Sequence, residues 1–177
     1  MSNIILNYSS KSHHALDFII SGSKSISQRA LIINSLINFN GKLLNLSTSL
    51  DTVIINKCLL SAESILNVYN SGTSLRFLIS FFALKNREVT LFGDHSLFQR
   101  PIKLLIEYLN ILGASIYQKN NSVIIQKGML KGGVLYLKPM KTSQFISSLI
   151  LIAPYLSGGI KLFLPKEIYS KSYINIS

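Results

Sequence analysis

Apolar residues follow two rhythms along this chain, and the rhythms alternate. Over residues 25–38, Ile26, Ala30, Ile33 and Ile37 recur every three or four positions, which predicts a helix with an apolar stripe. Residues 73–84 are apolar on almost every side, which predicts a buried helix. A third helix starts at Arg100-Pro101, with Ile102, Leu105, Ile106, Leu109 and Leu112 as its buried face and Gly113 as its stop. Residues 52–61 predict another helix with Asp51 as N-cap, and residues 144–156 one more that Pro154 bends or ends. Short β-favouring runs lie between them at 16–20, 41–46, 63–68, 88–93, 133–137 and 160–164. Residues 114–118 and 122–126 flank Lys119-Asn120-Asn121 and predict a hairpin with an extended turn. Residues 94–99 are expected as a loop, and 169–174 as a loop entering a helix. The alternation predicts an α/β (α+β) fold built from repeated β-α-β-α-β-β units.

Three of the predicted helices open alike. Ser21-Gly22-Ser23-Lys24-Ser25-Ile26-Ser27-Gln28-Arg29 leads into one, Asn70-Ser71-Gly72-Thr73-Ser74-Leu75-Arg76 into the next, and Lys141-Thr142-Ser143-Gln144 into the third. Each sets small or hydroxyl residues and a cation or amide at a helix start, where backbone N–H groups are unpaired and the helix dipole is positive. Such starts hold phosphates and carboxylates, and three aimed at one place would form an anion pocket. Ser23 or Ser25 can cap the first helix, and Ser25 and Arg29, four apart, share a face of it. Gly72 before a helix lets a ligand approach the backbone closely.

Composition narrows the class. With 48% apolar and 14% charged residues in 177, the chain can bury a core. No apolar run reaches the roughly 18 residues of a membrane span, and the first residues carry no signal-peptide pattern. A single cysteine, Cys58, allows no internal disulfide and is expected as a buried thiol. The net charge of +11 invites a nucleic-acid reading, but the lysines form no basic run and do not interleave with aromatics. The charge is therefore read as a general attraction for anions. His13 and His14 are adjacent and His95 stands alone, so no metal cluster is expected. The acids are few and unpaired at helical spacing. The residues supply cations and hydroxyls that hold anions, and no acid–base pair.

Five motifs in order resemble the EPSP synthase branch of the enolpyruvyl transferase family. They are Gly22–Arg29 for Gly-Ser-Lys-Ser-x-Ser-x-Arg, Asn70–Arg76 for Asn-x-Gly-Thr-x-x-Arg, and Gly93-Asp94 with Arg100-Pro101. The others are Thr142-Ser143-Gln144-Phe145, with threonine where serine is usual, and Ser170–Ile174 for Ser-Lys-x-Tyr-Ile. The resemblance implies transfer of the enolpyruvyl group of phosphoenolpyruvate to the 5-hydroxyl of shikimate 3-phosphate, in the shikimate pathway, with no metal or organic cofactor. It implies that Lys24, Ser25, Arg29, Thr142, Ser143, Gln144, Ser170 and Tyr173 bind shikimate 3-phosphate. Lys24, Gly72, Arg100 and Gln144 are implied for phosphoenolpyruvate. Asn70, Thr73 and Arg76 match the pattern and are equally open to a structural role.

The resemblance also implies a two-domain enzyme, cytoplasmic and monomeric, acting on small molecules and not on nucleic acid or membrane. Residues 1–20 would pack with the second domain, and 21–177 would form an incomplete first domain of the inverse α/β barrel-like kind. The acid and base residues would lie in the second domain, so no catalytic residue is assigned here and little turnover is expected of this chain. An incomplete third unit would strip cover from the helix at 73–84. The alternatives are a noncatalytic anion-binding module and a relative of the UDP-N-acetylglucosamine enolpyruvyl transferase, whose loop cysteine Cys58 does not match in position.

Overall fold

The computed structural model describes residues 20–37, 41–140 and 142–177. The expected strand at 16–20 lies outside these but for Ile20, as do His13, His14 and the last residue of the expected first helix. The helices are α1 (Lys24–Leu36), α2 (Leu50–Leu60), α3 (Gly72–Leu84), α4 (His95–Phe98), α5 (Lys103–Ile111), α6 (Gln144–Ile152) and α7 (Lys171–Asn175). The strands are β1 (Ile65–Asn67), β2 (Val89–Phe92), β3 (Ser115–Lys119), β4 (Ser122–Gln126), β5 (Gly133–Tyr136) and β6 (Ile160–Phe163).

One complete β-α-β-α-β-β unit runs from β1 through α3, β2, α5 and β3 to β4. Its sheet has the order β1-β2-β4-β3, with β1 and β2 parallel and the other neighbours antiparallel. Parallel strands need a crossover, and α3 supplies it. The same order begins again at β5, α6 and β6, whose strands pair in parallel. Among the described residues β6 has no strand on its other side, and neither sheet closes into a barrel.

α3 is the hub. Eleven of its residues are buried, and it touches α1, α2, α5, α6, β2 and β4. The expected loss of cover on this helix is therefore corrected: Leu75, Phe77, Leu78, Ile79 and Phe82 are fully enclosed. Exposure falls on α1 instead, where Ile26, Ile33 and Ile37, the stripe that predicted the helix, face solvent. The inward face of α1 carries Leu31, Ile32 and Leu36 together with Ser27, Gln28 and Arg29. The polar groups are buried because each finds a partner. Gln28 Nε2 donates to Ser74 Oγ (3.3 Å), and Ser27 Oγ accepts from the Ser47 N–H (2.9 Å).

Residues 41–46 are not a strand. Asn45 has φ +52°, which breaks an extended run, and the next part of the segment is held by the Ser47–Ser27 bond and not by a sheet ladder. The loop expected at 94–99 contains the single turn α4. Pro101 lies before α5, which Ile102 opens, but the five predicted apolar positions of that helix are all buried. The hairpin turn is tight, since Lys119 pairs with Ser122 across Asn120-Asn121, and Asn120 takes φ +51°. The helix at 144–156 is α6 to Ile152 followed by a 3₁₀ turn over Ala153–Tyr155, with Pro154 at the change of pitch. Cys58 is buried, and burial pushes its thiol up to about 11. No helix among the described residues is long and apolar enough to cross a membrane.

Candidate functional site

The first turns of α1, α3, α6 and α7 border one cavity of about 300 Å³. Lys24 and Ser25 come from the start of α1, and Arg29 from one turn further on. Thr73 comes from α3, Thr142, Ser143 and Gln144 from the start of α6, and Ser170 and Tyr173 from α7. All eight residues expected to hold shikimate 3-phosphate stand on this one wall. The N-caps of α1, α3 and α6 are Ser23, Ser71 and Ser143. Ser71 Oγ accepts from the Ser74 N–H, while Ser23 and Ser143 bond no N–H of their helices, and Ser25 is inside α1 and does not cap it. At α6 the Thr142 hydroxyl accepts from the first N–H, that of Gln144 (3.2 Å), and the uncapped N–H groups are what a helix start offers an anion.

Arg29 is the most committed of the cations. It is 4% exposed. Its Nε donates to Ser177 Oγ (2.8 Å), Nη1 to the Ser25 carbonyl (2.8 Å), and Nη2 to Ser147 Oγ (2.9 Å) and the Tyr173 carbonyl (2.8 Å). Of five N–H groups, one on Nη1 has no partner among the described residues. Burial holds its pKa below the usual guanidinium value. Lys24, with half its side chain exposed, pairs with Asp51 at 2.8 Å. Asp51 is thus not the cap of α2, which Ser49 opens; it lies in the first turn, where a negative charge suits the dipole.

Gly72 and Arg100 meet on the neighbouring side of α3. A Cβ on Gly72 would lie 2.7 Å from Arg76 Nη1 and 3.2 Å from Arg100 Nη1. Arg76, Arg100, Leu104, Met140, Thr142 and Phe145 border a second cavity of about 400 Å³, so Thr142 is common to both. Arg100 Nη2 donates to Asn70 Oδ1 (2.8 Å). Asp51 and Ser147 were not foreseen as neighbours of the site. The adjacent serines Ser147 and Ser148 inside the apolar run of α6, both enclosed, were the available signal.

The family model for EPSP synthase (3-phosphoshikimate 1-carboxyvinyltransferase) matches residues 54–177. The chain belongs to the EPSP synthase family. The 3-phosphoshikimate 1-carboxyvinyltransferase of Bacteroides fragilis (strain YCH46) is 38% identical over 159 residues, covering 88% of this chain and 39% of the relative. That of Buchnera aphidicola subsp. Cinara cedri is 31% identical over 187 residues, covering 89% of this chain and 43% of the relative. The chain therefore spans about two fifths of the length of the curated relatives it matches. The solved EPSP synthase of Acinetobacter baumannii superposes with a TM-score of 0.64 at 20% identity, over 89% of this chain and 42% of that one, which shows a shared fold. This chain of the family carries one β-α-β-α-β-β unit in full together with the four helix starts around one cavity.

Proposed function

We propose that this chain supplies the shikimate 3-phosphate side of an EPSP synthase site. The complete reaction would transfer the enolpyruvyl group of phosphoenolpyruvate to the ligand's 5-hydroxyl and release phosphate. The observation that carries the reading is one cavity bordered by four helix starts and two cations, with no carboxylate among its lining residues. A phosphate at Thr142 and Ser143 would take the place of the Thr142 hydroxyl, which accepts from the Gln144 N–H at 3.2 Å, at the start of α6, and the free Nη1 proton of Arg29 would serve a carboxylate or hydroxyl. Lys24 would release Asp51 to reach a second anion. Gly72 and Arg100 would hold phosphoenolpyruvate beside it. Proton transfer would need acids from outside this lining, which fits a second domain packed with residues 1–20 and against 21–177. The resemblance further supports a cytoplasmic monomer that acts on small molecules.

Calorimetric titration of the chain with shikimate 3-phosphate tests the reading. Saturable one-to-one binding without turnover is expected; no binding by the folded chain would overturn it. Asp51 gives a signed prediction. Asp51→Asn frees Lys24 and removes a competing negative charge, so binding should tighten about 1.5- to 5-fold, the worth of one partly exposed pair. The same change should cost α2 about 0.3–1 kcal/mol through its first turn, readable in a thermal melt.

A further inference from the structure

The carboxamide of Gln144 has its two ends decided by its neighbours. Arg76 Nη1 lies 2.8 Å from one end, and a guanidinium has only donors, so that end is the oxygen. The other end is therefore Nε2, which donates to Thr73 Oγ1 at 2.9 Å. With Thr73 Oγ1 accepting, its own O–H has no acceptor among the described residues. Gln144 keeps a second N–H. Both side chains border the cavity of about 300 Å³.

Arg76 itself does not border that cavity. It is 6% exposed, with Nη2 donating to the Pro101 carbonyl (3.0 Å) and its guanidinium 5.5 Å from the Phe145 ring. Its Nε is buried with no partner, and no carboxylate pairs with it among the described residues. Burial, and to a smaller degree Arg100, lowers its pKa to about 10, so it keeps its charge at neutral pH. A buried cation without an acid is costly, and its one side-chain partner is the Gln144 oxygen.

We propose that Arg76 is a positioning residue acting through Gln144: it fixes the carboxamide so that Gln144 Nε2 and the Thr73 hydroxyl each keep a free hydrogen-bond donor at the cavity, a pair suited to a phosphate or carboxylate oxygen at that wall. The identity of the ligand rests on the reading above; the fixed orientation does not.

Two substitutions and one spectrum test it. Gln144→Glu keeps the bond to Arg76 as an ion pair but turns the wall into an acceptor. Its melting temperature should be unchanged or higher, while shikimate 3-phosphate binding falls at least about 100-fold. Arg76→Met should lose about 10-fold or more in affinity, and Arg76→Lys, which can still donate to the Gln144 oxygen, should recover most of that loss. In the ligand-free chain, the Gln144 side-chain N–H₂ signals, assigned by their loss in Gln144→Ala, should be slow to exchange with water and become fast in Arg76→Met. Wild-type affinity in Gln144→Glu, or the same Gln144 exchange with and without Arg76, would overturn the proposal. If the wild-type chain binds no shikimate 3-phosphate yet the Gln144 signals depend on Arg76, the positioning role stands and the ligand reading fails.

Discussion

Arg29→Ala is expected to reduce shikimate 3-phosphate binding by about 100-fold and to destabilise the chain by about 2–4 kcal/mol. The guanidinium ties three elements together, since its four bonds run to Ser25 in α1, to Ser147 in α6, and to Tyr173 and Ser177 in and beside α7. Alanine would leave the Ser25 carbonyl without that donor in a half-buried place. The Tyr173 carbonyl would keep only the Ser147 hydroxyl, at 3.2 Å, and the Ser177 hydroxyl, at 3.0 Å. The cation also stands 5.3 Å from the Phe77 ring, so the loss reaches the core. α7 has five residues and none is buried, so these bonds are a large share of what holds it. Hydrogen exchange should therefore rise over 170–177 before it rises in α3. Arg29→Lys should restore part of the stability and little of the binding, because one ammonium cannot serve three elements and a ligand together. Unchanged exchange at α7 in Arg29→Ala would refute the linkage.

The face that Arg29 occupies shows where the sequence was misleading. Periodicity located α1 correctly but pointed to the wrong side of it. Ile26, Ala30, Ile33 and Ile37 form a cleaner stripe than the side that is buried, where Leu31, Ile32 and Leu36 are mixed with Ser27, Gln28 and Arg29. A hydrophobic count penalises that side, because it cannot know that Ser47, Ser74, Ser147 and Tyr173 wait there as partners. The buried face of α5 was legible in Ile102, Leu105, Ile106, Leu109 and Leu112 because it is mostly apolar, while its start and the buried Tyr108, whose hydroxyl accepts from the Lys138 N–H, were not. α3 was legible because every side of it is enclosed. Residues 41–46 failed for a related reason: a short β-favouring run suggested a strand, while Asn45 in the left-handed region and a side-chain hydroxyl decide the path. The helix starts were legible as anion-holding motifs, but their convergence needed the tertiary structure. So did the pairing of Asp51 with Lys24, which are 27 positions apart.

Gly22→Ala is expected to be highly damaging, costing about 3 kcal/mol or more. A Cβ at Gly22 would lie 1.8 Å from the Asn45 carbonyl oxygen and 3.2 Å from the Ser47 nitrogen. Those are backbone atoms, so no rotamer change relieves the overlap; the strand of chain at 41–49 or the start of α1 must move by on the order of 1 Å. Movement there cannot stay local. Ser47 donates to Ser27 of α1, and Ser49 opens α2, whose Asp51 holds Lys24. The substitution should therefore lower the melting temperature by roughly 6–12 °C for a chain of this size and weaken shikimate 3-phosphate binding with it. Gly72→Ala is the contrast. There the added carbon meets only the tips of Arg76 and Arg100. Side-chain tips can yield, so the melt should change less while the geometry of the two guanidiniums changes more. A Gly22→Ala melt within 2 °C of wild type would mean that the segment at 41–49 is not held against α1. The position of Lys24 would then rest on its ion pair with Asp51 alone.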